Sequence, residues 1–376
     1  MKILFLGVQL ASLVNFRGPL LRDLVASGHQ VVAVAPEPAE PWLGQLAAMG
    51  VRFIEAPTAR TGINPFADLA NFLWLTRLLR QERPEVLFSF QAKAVIWGTL
   101  AGLFAGVGRR IAMIEGLGAP FATGPRLALR LMLRTVLMGL YAVSLRAAHV
   151  VFFLNPDDRD FFVRWRLLGN KGKAVLIPGI GVDLQHYAAK PLPPEPVMFL
   201  FMARLLVDKG VLIFAEAARQ LAREHSAGRF VILGPEDVGP AAVAKGEIAA
   251  WQAAGVPLYA GATDDVRTWL QQCHVFVLPT FYREGMPRSL LEAMATGRAL
   301  ITTDVPGARE TVVAGENGYL IQPRDVNDLV RAMKTFILEP ELAGKMGLAS
   351  RKLAEERFEV HKINRQIISA MMGTKA

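Results

Sequence analysis

The chain has 376 residues, 52% of them hydrophobic, with 33 Gly, 23 Pro, a single Cys and a formal net charge of +9. That length exceeds one ordinary core and predicts two domains of roughly 180 residues each, while the lone Cys273 excludes an intramolecular disulfide and a cysteine-based zinc site and fits a reducing compartment. Charge is uneven: residues 1–190 hold 21 Lys and Arg against 12 Asp and Glu, and the remainder holds 21 of each, so the basic half suits nucleic acid, anionic lipid or a phosphorylated substrate.

Met1 runs straight into the apolar strand "KILFLGV", and no charged leader or small-residue cleavage site suggests a signal peptide. A helix near Gly18–Ser27 is expected next, then "HQVVAVAP", a helix near Trp42–Met49, "VRFIEAP" and a helix near Pro65–Glu82. "PEVLFSF", a helix after Lys93, "RRIAMIEG", a basic helix, "HVVFFLN" and "KAVLIPG" complete the half. Near-continuous apolar strands separated by helices predict a parallel sheet covered on both faces.

In the basic helix, Arg126, Arg130 and Arg134 recur every four residues among Leu, Met and Val. Such a helix either lies in a membrane surface or packs on the core with a solvated basic face. The longest charge-free runs, "AVIWGTLAGLFAGVG" and "TVLMGLYAVSL", fall short of the ~20 residues a span needs, which favours peripheral over integral association. Nucleic acid is disfavoured, because the chain has no zinc finger, RNP-like aromatic pattern or Lys-rich tail.

Residues 181–196, rich in proline, read as a hinge. A second alternating series starts at "VMFLFMARL" and continues with a helix at Val211–Glu224, "FVILGP", "VPLYAGA", "HVFVLPT", a helix within "REGMPRSLLEAM" and "RALITTD". The expected fold class is therefore α/β: two doubly wound, Rossmann-like domains facing across a cleft. They span 1–180 and 197–350, and the helical stretch 351–376 packs back on the first. Ligands of such sheets bind at the carboxyl ends of the strands.

Glu284 and Glu292 are separated by seven residues. With Pro287 at the first helical position and the helix beginning near Met286, Glu292 lies ~8–9 Å along the axis. Between the acids are the free N–H groups and positive end of a helix, a ready anion site. A diphosphate there, with a carboxylate toward hydroxyls at each end, matches the order ribose, diphosphate, sugar of a nucleotide sugar. The plainer alternative makes Glu284 a loop acid and Glu292 a surface helix residue. Arg204 and Lys209, in "MARLLVDKG" after the first strand of the second series, are cations suited to the diphosphate without a metal, or else a strand-end surface pair.

"MARLLVDKG", "YREGMPRSLLEAMATGRALITTDVPGARETV" and "GENGYLIQPRD" together resemble the retaining nucleotide-sugar glycosyltransferases of family 4, which have the GT-B fold. The resemblance covers most of residues 198–335. Weaker matches at "NFRGPL", "GINPF", "FQAKAVIWG" and "EGLG" resemble the branch of α-1,3-N-acetylgalactosaminyltransferases acting on polyprenyl-diphosphate-linked diacetylbacillosamine. The resemblance implies a UDP-sugar donor, no further cofactor and a polyprenyl-diphosphate-linked saccharide acceptor in bacterial glycan assembly, at the cytoplasmic face of the inner membrane. It implies Arg204 and Lys209 on the donor diphosphate, Glu284 on the transferred sugar and Glu292 on the ribose. Gly285, Met286, Pro287, Arg288, Ser289 and Leu290 would supply the backbone around the donor, with Gly261 near the base. Where many relatives carry a histidine, "IEGLG" offers Glu115, either orienting hydroxyls or serving as a structural loop acid.

The implied chemistry is front-face displacement, in which the donor phosphate oxygen takes the acceptor proton while Arg204 and Lys209 stabilise the charge that develops. Asn15 and Arg17 in the first loop, and Lys93, are candidate acceptor ligands. Arg17 and Lys93 would meet a lipid diphosphate or be ordinary solvated bases. "DDRD", Asp157 to Asp160, contains the spacing of a metal motif but follows "NP" and predicts a helix start. The six histidines lack metal-like spacing, so no metal site is expected. A UDP-sugar 2-epimerase on the same scaffold would need cleft acids and histidines for proton abstraction, a dinucleotide oxidoreductase would need a GxGxxG that "FLGVQLASL" lacks, and a non-enzymatic nucleotide-sugar or lipid binder stays open.

Overall fold

The computed structural model describes residues 1–57, 64–117, 121, 127–224, 228–239 and 241–373, with the backbone alone at 65 and 127–130. The chain divides into two compact units, Met1–Ile180 with the chain from Val360, and Gly181–Glu359.

The first unit holds strands β1 (Lys2–Leu6), β2 (Gln30–Ala35), β3 (Arg52–Glu55), β4 (Val86–Phe90), β5 (Arg109–Ile114), β6 (Val150–Phe153) and β7 (Ala174–Leu176). They form one sheet in the order β3-β2-β1-β4-β5-β6-β7, every pairing parallel. Alternate side chains serve opposite faces. Ile3 and Phe5 pack under helices α1 (Leu10–Ala26) and α2 (Trp42–Ala48), whereas Leu4 and Leu6 pack under α3 (Pro65–Glu82) and α4 (Ala92–Phe104). Helices α5 (Leu127–Ser144) and α6 (Pro156–Arg164) extend the latter layer through Tyr141 and Phe162 over Val151 and Phe153.

Helix α1 begins eight residues before the expected Gly18 and runs through Pro19. Leu10, Leu13, Val14, Leu21 and Leu24 recur on one face and are buried. Packing of that stripe outweighs the single backbone hydrogen bond that Pro19 removes. As a result Asn15 and Arg17 lie within a helix and not in a loop. At "DDRD", the Asn155 side chain accepts the Asp158 N–H at 2.8 Å and caps α6, as expected of a helix start.

The second unit holds β8 (Val197–Met202), β9 (Gly228–Leu233), β10 (Leu258–Tyr259), β11 (Val275–Leu278), β12 (Ala299–Thr303) and β13 (Gly318–Ile321), parallel in the order β10-β9-β8-β11-β12-β13. Its helices are α7 (Val211–Glu224), α8 (Lys245–Ala254), α9 (Arg267–Gln272), α10 (Arg288–Ala295), α11 (Val326–Leu338) and α12 (Glu341–Arg357). One core joins Phe199, Phe201, Phe214, Leu291, Met294 and Phe336. Residues 181–196, read as a hinge, and the end of α12 from 351 onward, read as part of the returning tail, both belong to this unit. Only α13 (Val360–Met372) joins the first unit, where Ile363, Ile367 and Met371 are buried in the core beside α1. Asn364 Nδ2 donates to Asp23 at 2.7 Å, and Arg109 donates to the Ala370 carbonyl at 2.7 Å.

In each sheet the winding reverses beside the first strand, between β1 and β4 and between β8 and β11. Those are the points where the loops at the strand carboxyl ends diverge and leave a crevice.

Candidate active site

At the reversal in the second unit, the loop after β8 carries Arg204 and Lys209, and the loop after β11 carries Glu284 and leads into α10. Glycine brings the two loops together. Gly210 has φ +82, and a Cβ on it would lie 2.0 Å from the Pro279 carbonyl oxygen, so no other residue permits this approach. The Asp208 carbonyl accepts the Phe281 N–H at 2.9 Å and the Thr280 hydroxyl at 3.3 Å. From β12, the Thr302 hydroxyl donates to the Leu278 carbonyl at 2.7 Å and the Thr303 hydroxyl to that of Thr280. Gly307, with φ +88, leans on the acid loop from outside, where a Cβ would meet the carbonyl oxygens of Gly285 at 2.5 Å and Glu284 at 2.6 Å.

This scaffold sets Lys209 Nζ 2.5 Å from Glu284 Oε1. Two residues read as separate contacts, one for diphosphate and one for sugar, are joined as an ion pair. Nζ also lies 5.5 Å from the centroid of the Tyr282 ring, whose phenol pKa is raised by burial and then by the charge of Glu284. Arg204 is 52% exposed and pairs with Asp237 Oδ2 at 2.8 Å.

Helix α10 begins at Arg288, with Pro287 as its N-cap at φ −64 and ψ 116. Pro287, expected at the first helical position, thus stands one residue before it, and Glu292 lies ~6 Å along the axis, less than the spacing alone suggested. No acidic side chain occupies the first turn, the end at which a helix is positive. Leu290, Leu291, Ala293 and Met294 are fully buried and fix the helix against its sheet, while Met286 packs at the margin of the core. Gly285 is buried, and Ser289 is half-buried beside Arg288.

Glu292 is not the surface residue that the plainer reading allowed, being 7% exposed. Its Oε1 accepts the Tyr187 hydroxyl at 2.8 Å and pairs with Arg288 Nε at 2.8 Å. Burial raises the carboxyl pKa, and Arg288 and the Tyr187 hydrogen bond oppose that rise. The Tyr187 phenol is in turn raised by burial and by Glu292. Arg351 holds the assembly from α12, donating to the carbonyls of Ala295 at 2.7 Å, Tyr187 at 3.2 Å and Leu184 at 3.3 Å. Gly261 has φ +75, and its carbonyl accepts the Gly234 N–H at 2.7 Å.

Tyr187, Asp237 and Gly307 were missed as site residues. Tyr187 was absorbed into the proline-rich segment, and Asp237 has no spacing relation to Arg204. Gly307 stands in "DVPGARETV", where no local signal marks its approach to the Gly285 carbonyl.

At the reversal in the first unit, Gln91 links β4 to α4 with φ +68, and its side-chain oxygen accepts the Val8 N–H at 2.9 Å. Asn15 is exposed on α1. Arg17 is neither a solvated base nor displayed to a ligand, for it is 2% exposed. Its Nη2 pairs with Glu115 and lies 3.2 Å from Met113 Sδ, and its guanidinium stands 4.1 Å from the Phe90 ring centroid. Nε and Nη1 have no partner among the described residues. Lys93 Nζ pairs with Asp68 Oδ1 at 2.7 Å.

Of the three arginines of α5, Arg126 lies outside the described residues, as does the side chain of Arg130. Arg134 packs on aromatic rings, its guanidinium 5.0 Å from the Phe121 centroid and 5.5 Å from that of Phe161. Leu131, Met132, Val136 and Val143 of α5 are exposed. Among the described residues no helix is long and apolar enough to cross a membrane, and no group of three or more His, Cys, Asp or Glu is placed to hold a metal ion.

Residues 17–179 match the family model described as "Glycosyl transferase 4-like domain", and residues 196–339 match "Glycosyl transferases group 1". The N,N'-diacetylbacillosaminyl-diphospho-undecaprenol alpha-1,3-N-acetylgalactosaminyltransferase of Campylobacter jejuni is 30% identical over 356 residues, 91% of this chain and 90% of that protein. The UDP-Gal:alpha-D-GlcNAc-diphosphoundecaprenol alpha-1,3-galactosyltransferase of Escherichia coli is 25% identical over 301 residues, 75% of this chain and 74% of that protein. In fold, the chain is similar to sucrose-phosphate synthase from Thermosynechococcus elongatus, with a TM-score of 0.81, 18% identity and coverage of 99% and 98% of the two chains. Epimerase, oxidoreductase and simple binder yield to this match, and the chain belongs to the family 4 glycosyltransferases of GT-B fold.

Proposed function

We propose that this glycosyltransferase moves a sugar, GalNAc or another N-acetylhexosamine or hexose, from a UDP-linked donor to an undecaprenyl-diphosphate-linked saccharide, with retention of configuration and without a metal ion. It works at the cytoplasmic face of a bacterial inner membrane, held there peripherally in part by α5. The observation that carries the reading is the Lys209–Glu284 pair beside the acid-free first turn of α10. The specificities of the Campylobacter and Escherichia relatives support the donor and acceptor classes.

In this reading the donor diphosphate takes the first-turn N–H groups of α10, and Arg204 and Lys209 add positive charge where the leaving group becomes more negative. Glu284 accepts from hydroxyls of the transferred sugar, and Glu292, through the carboxylate anchored by Tyr187 and Arg288, accepts from the ribose. Gly285 to Leu290 supply the backbone around the donor, and Gly261 lies near the base. The C1–O bond to the β-phosphate breaks as the acceptor oxygen bonds to C1 on the same face. The acceptor proton passes to the departing phosphate oxygen, and UDP leaves. On the acceptor side Asn15 and Lys93 contact the lipid-linked saccharide, and buried Arg17 holds Glu115 toward its hydroxyls.

Incubation of labelled UDP-sugars with an undecaprenyl-diphosphate saccharide, followed by mass spectrometry and anomeric NMR of the product, tests the proposal. An α-linked product formed equally in the presence of a chelator is expected. An epimerised donor, a β-linked product or complete loss of activity with chelator would each remove the corresponding part.

A further inference from the structure

We propose that helix α3 is a membrane-contacting element in its own right. Its exposed face lies on an anionic bilayer, with Phe66, Leu69 and Leu73 in the acyl boundary and Arg77 and Arg80 against lipid phosphates. The inference rests on the peripheral reading above and adds a surface separate from α5.

Helix α3 satisfies its core obligations with other residues. Leu75, Leu78 and Leu79 are buried beside Leu4, Val32 and Leu87. Left outside are Phe66, Leu69 and Leu73, at 85%, 53% and 59% exposure. They continue into the exposed Arg77 and Arg80 at spacings of three and four residues, which keeps all five on one face. Large apolar side chains lined up in this way are more than the scattered hydrophobes of an ordinary surface. The end of α4 widens the patch. Phe72 packs on the rings of Trp97 and Phe104 at 6.2 and 5.6 Å, and Leu103 and Phe104 are themselves exposed. Arg80 donates to the Phe104 carbonyl at 3.1 Å, which ties the basic end of the stripe to this extension.

Charge selects the occupant. Residues 1–190 carry all of the chain's excess positive charge, and the stripe passes from apolar to cationic within ~6–10 Å along the helix axis. A bilayer presents the matching order, acyl chains and then anionic headgroups, over a comparable depth. The first turn of α3 also holds Asp68, the partner of Lys93, so the apolar stripe starts in the same turn as a proposed acceptor contact. A lipid-linked substrate needs both at one level.

The test is co-sedimentation of the full chain with vesicles of equimolar phosphatidylethanolamine and phosphatidylglycerol, alongside calorimetric UDP binding. Phe66→Ser with Leu69→Ser and Leu73→Ser should weaken vesicle partition by at least about 30-fold and leave UDP affinity and melting temperature unchanged. Arg77→Glu with Arg80→Glu should abolish the preference for these vesicles over pure phosphatidylcholine. If the wild-type chain ignores vesicles altogether, the peripheral reading falls and this one with it. If the wild type binds and the triple variant binds equally, the α3 assignment alone is overturned. A triple variant that changes self-association by light scattering, with vesicle binding intact, would assign the stripe to a second copy of the chain instead.

Discussion

The two units repeat one winding and each places cations after its first strand, yet they treat those cations oppositely. In the second unit the cations stand in the loop after β8, where Arg204 is half exposed and Lys209 keeps 12% exposure. In the first unit Arg17 is enclosed, with Glu115, Phe90 and Met113 about it. A cation that keeps contact with water can exchange partners at modest cost, because water screens it as its pair opens. An enclosed cation such as Arg17 cannot, since separation strands its charge in a poorly polarisable interior. A shared topology therefore carries cations that water reaches in one unit and a fixed, enclosed cation in the other.

The largest expected effect lies in the second unit. Lys209→Ala and Glu284→Gln should each lower kcat by about 10²–10³-fold, and Arg204→Ala by about 10²-fold, with circular dichroism and melting temperature near those of the wild type. If all three retain near-normal turnover, these side chains do not hold the donor. If they unfold, these charges are structural and the contrast between the units disappears.

The enclosed cation should respond in stability first. Arg17→Ala leaves Glu115 without its partner and opens a cavity beside Phe90, which should cost about 3 kcal/mol. The double change Arg17→Met with Glu115→Gln removes both charges and conserves volume, and most of that loss should be recovered in a denaturant titration. Activity should stay low in the double variant if Glu115 meets the acceptor. A double variant as unstable as Arg17→Ala would show that packing, and not charge, sets the cost.

The same contrast explains what could be read from residues alone. Helices α3 and α7 were legible in their bounds, and the structure adds a cap to the first, with the Asn64 side chain accepting from Phe66 and Ala67. The paired parallel sheets and the donor-loop motifs were legible as well, since local periodicity and glycine placement carry them. The start of α1 was hidden by Gly18 and Pro19, a local break that buried leucines on both sides override. The partners of Arg204 and Glu292 were not legible, because Asp237 and Tyr187 reach them only through the folded sheet. The burial of Arg17 was invisible for a related reason, since nothing local distinguishes a guanidinium that stacks on Phe90 from a solvated one. The exposed stripe of α3 escaped notice because the opposite face is apolar too, and the helix lacks the contrast that marks an amphipathic one.

The smallest effects should appear at Glu292, which combines a proposed donor contact with interior burial. Its folded-state pKa is raised from the ordinary 4.5, chiefly by burial. The native state therefore keeps this proton to higher pH than the unfolded chain, so the residue's contribution to stability declines as pH rises from about that ordinary value through the raised one, and is constant above it. Glu292→Gln cannot ionise, and its melting temperature should gain on the wild type across that window and hold a steady lead at neutral pH. Loss of the charged acceptor should weaken UDP binding by about 10-fold. Tyr187→Phe removes a hydrogen bond that opposes the rise, so it should move the window to higher pH and weaken UDP binding only about 3-fold. Melting curves of the three proteins from acid to neutral pH, beside calorimetric UDP affinities, check the set. A pH-independent gap between wild type and Glu292→Gln would mean that the carboxylate is solvated in the folded chain, and would move Glu292 from the enclosed class to the one that water reaches.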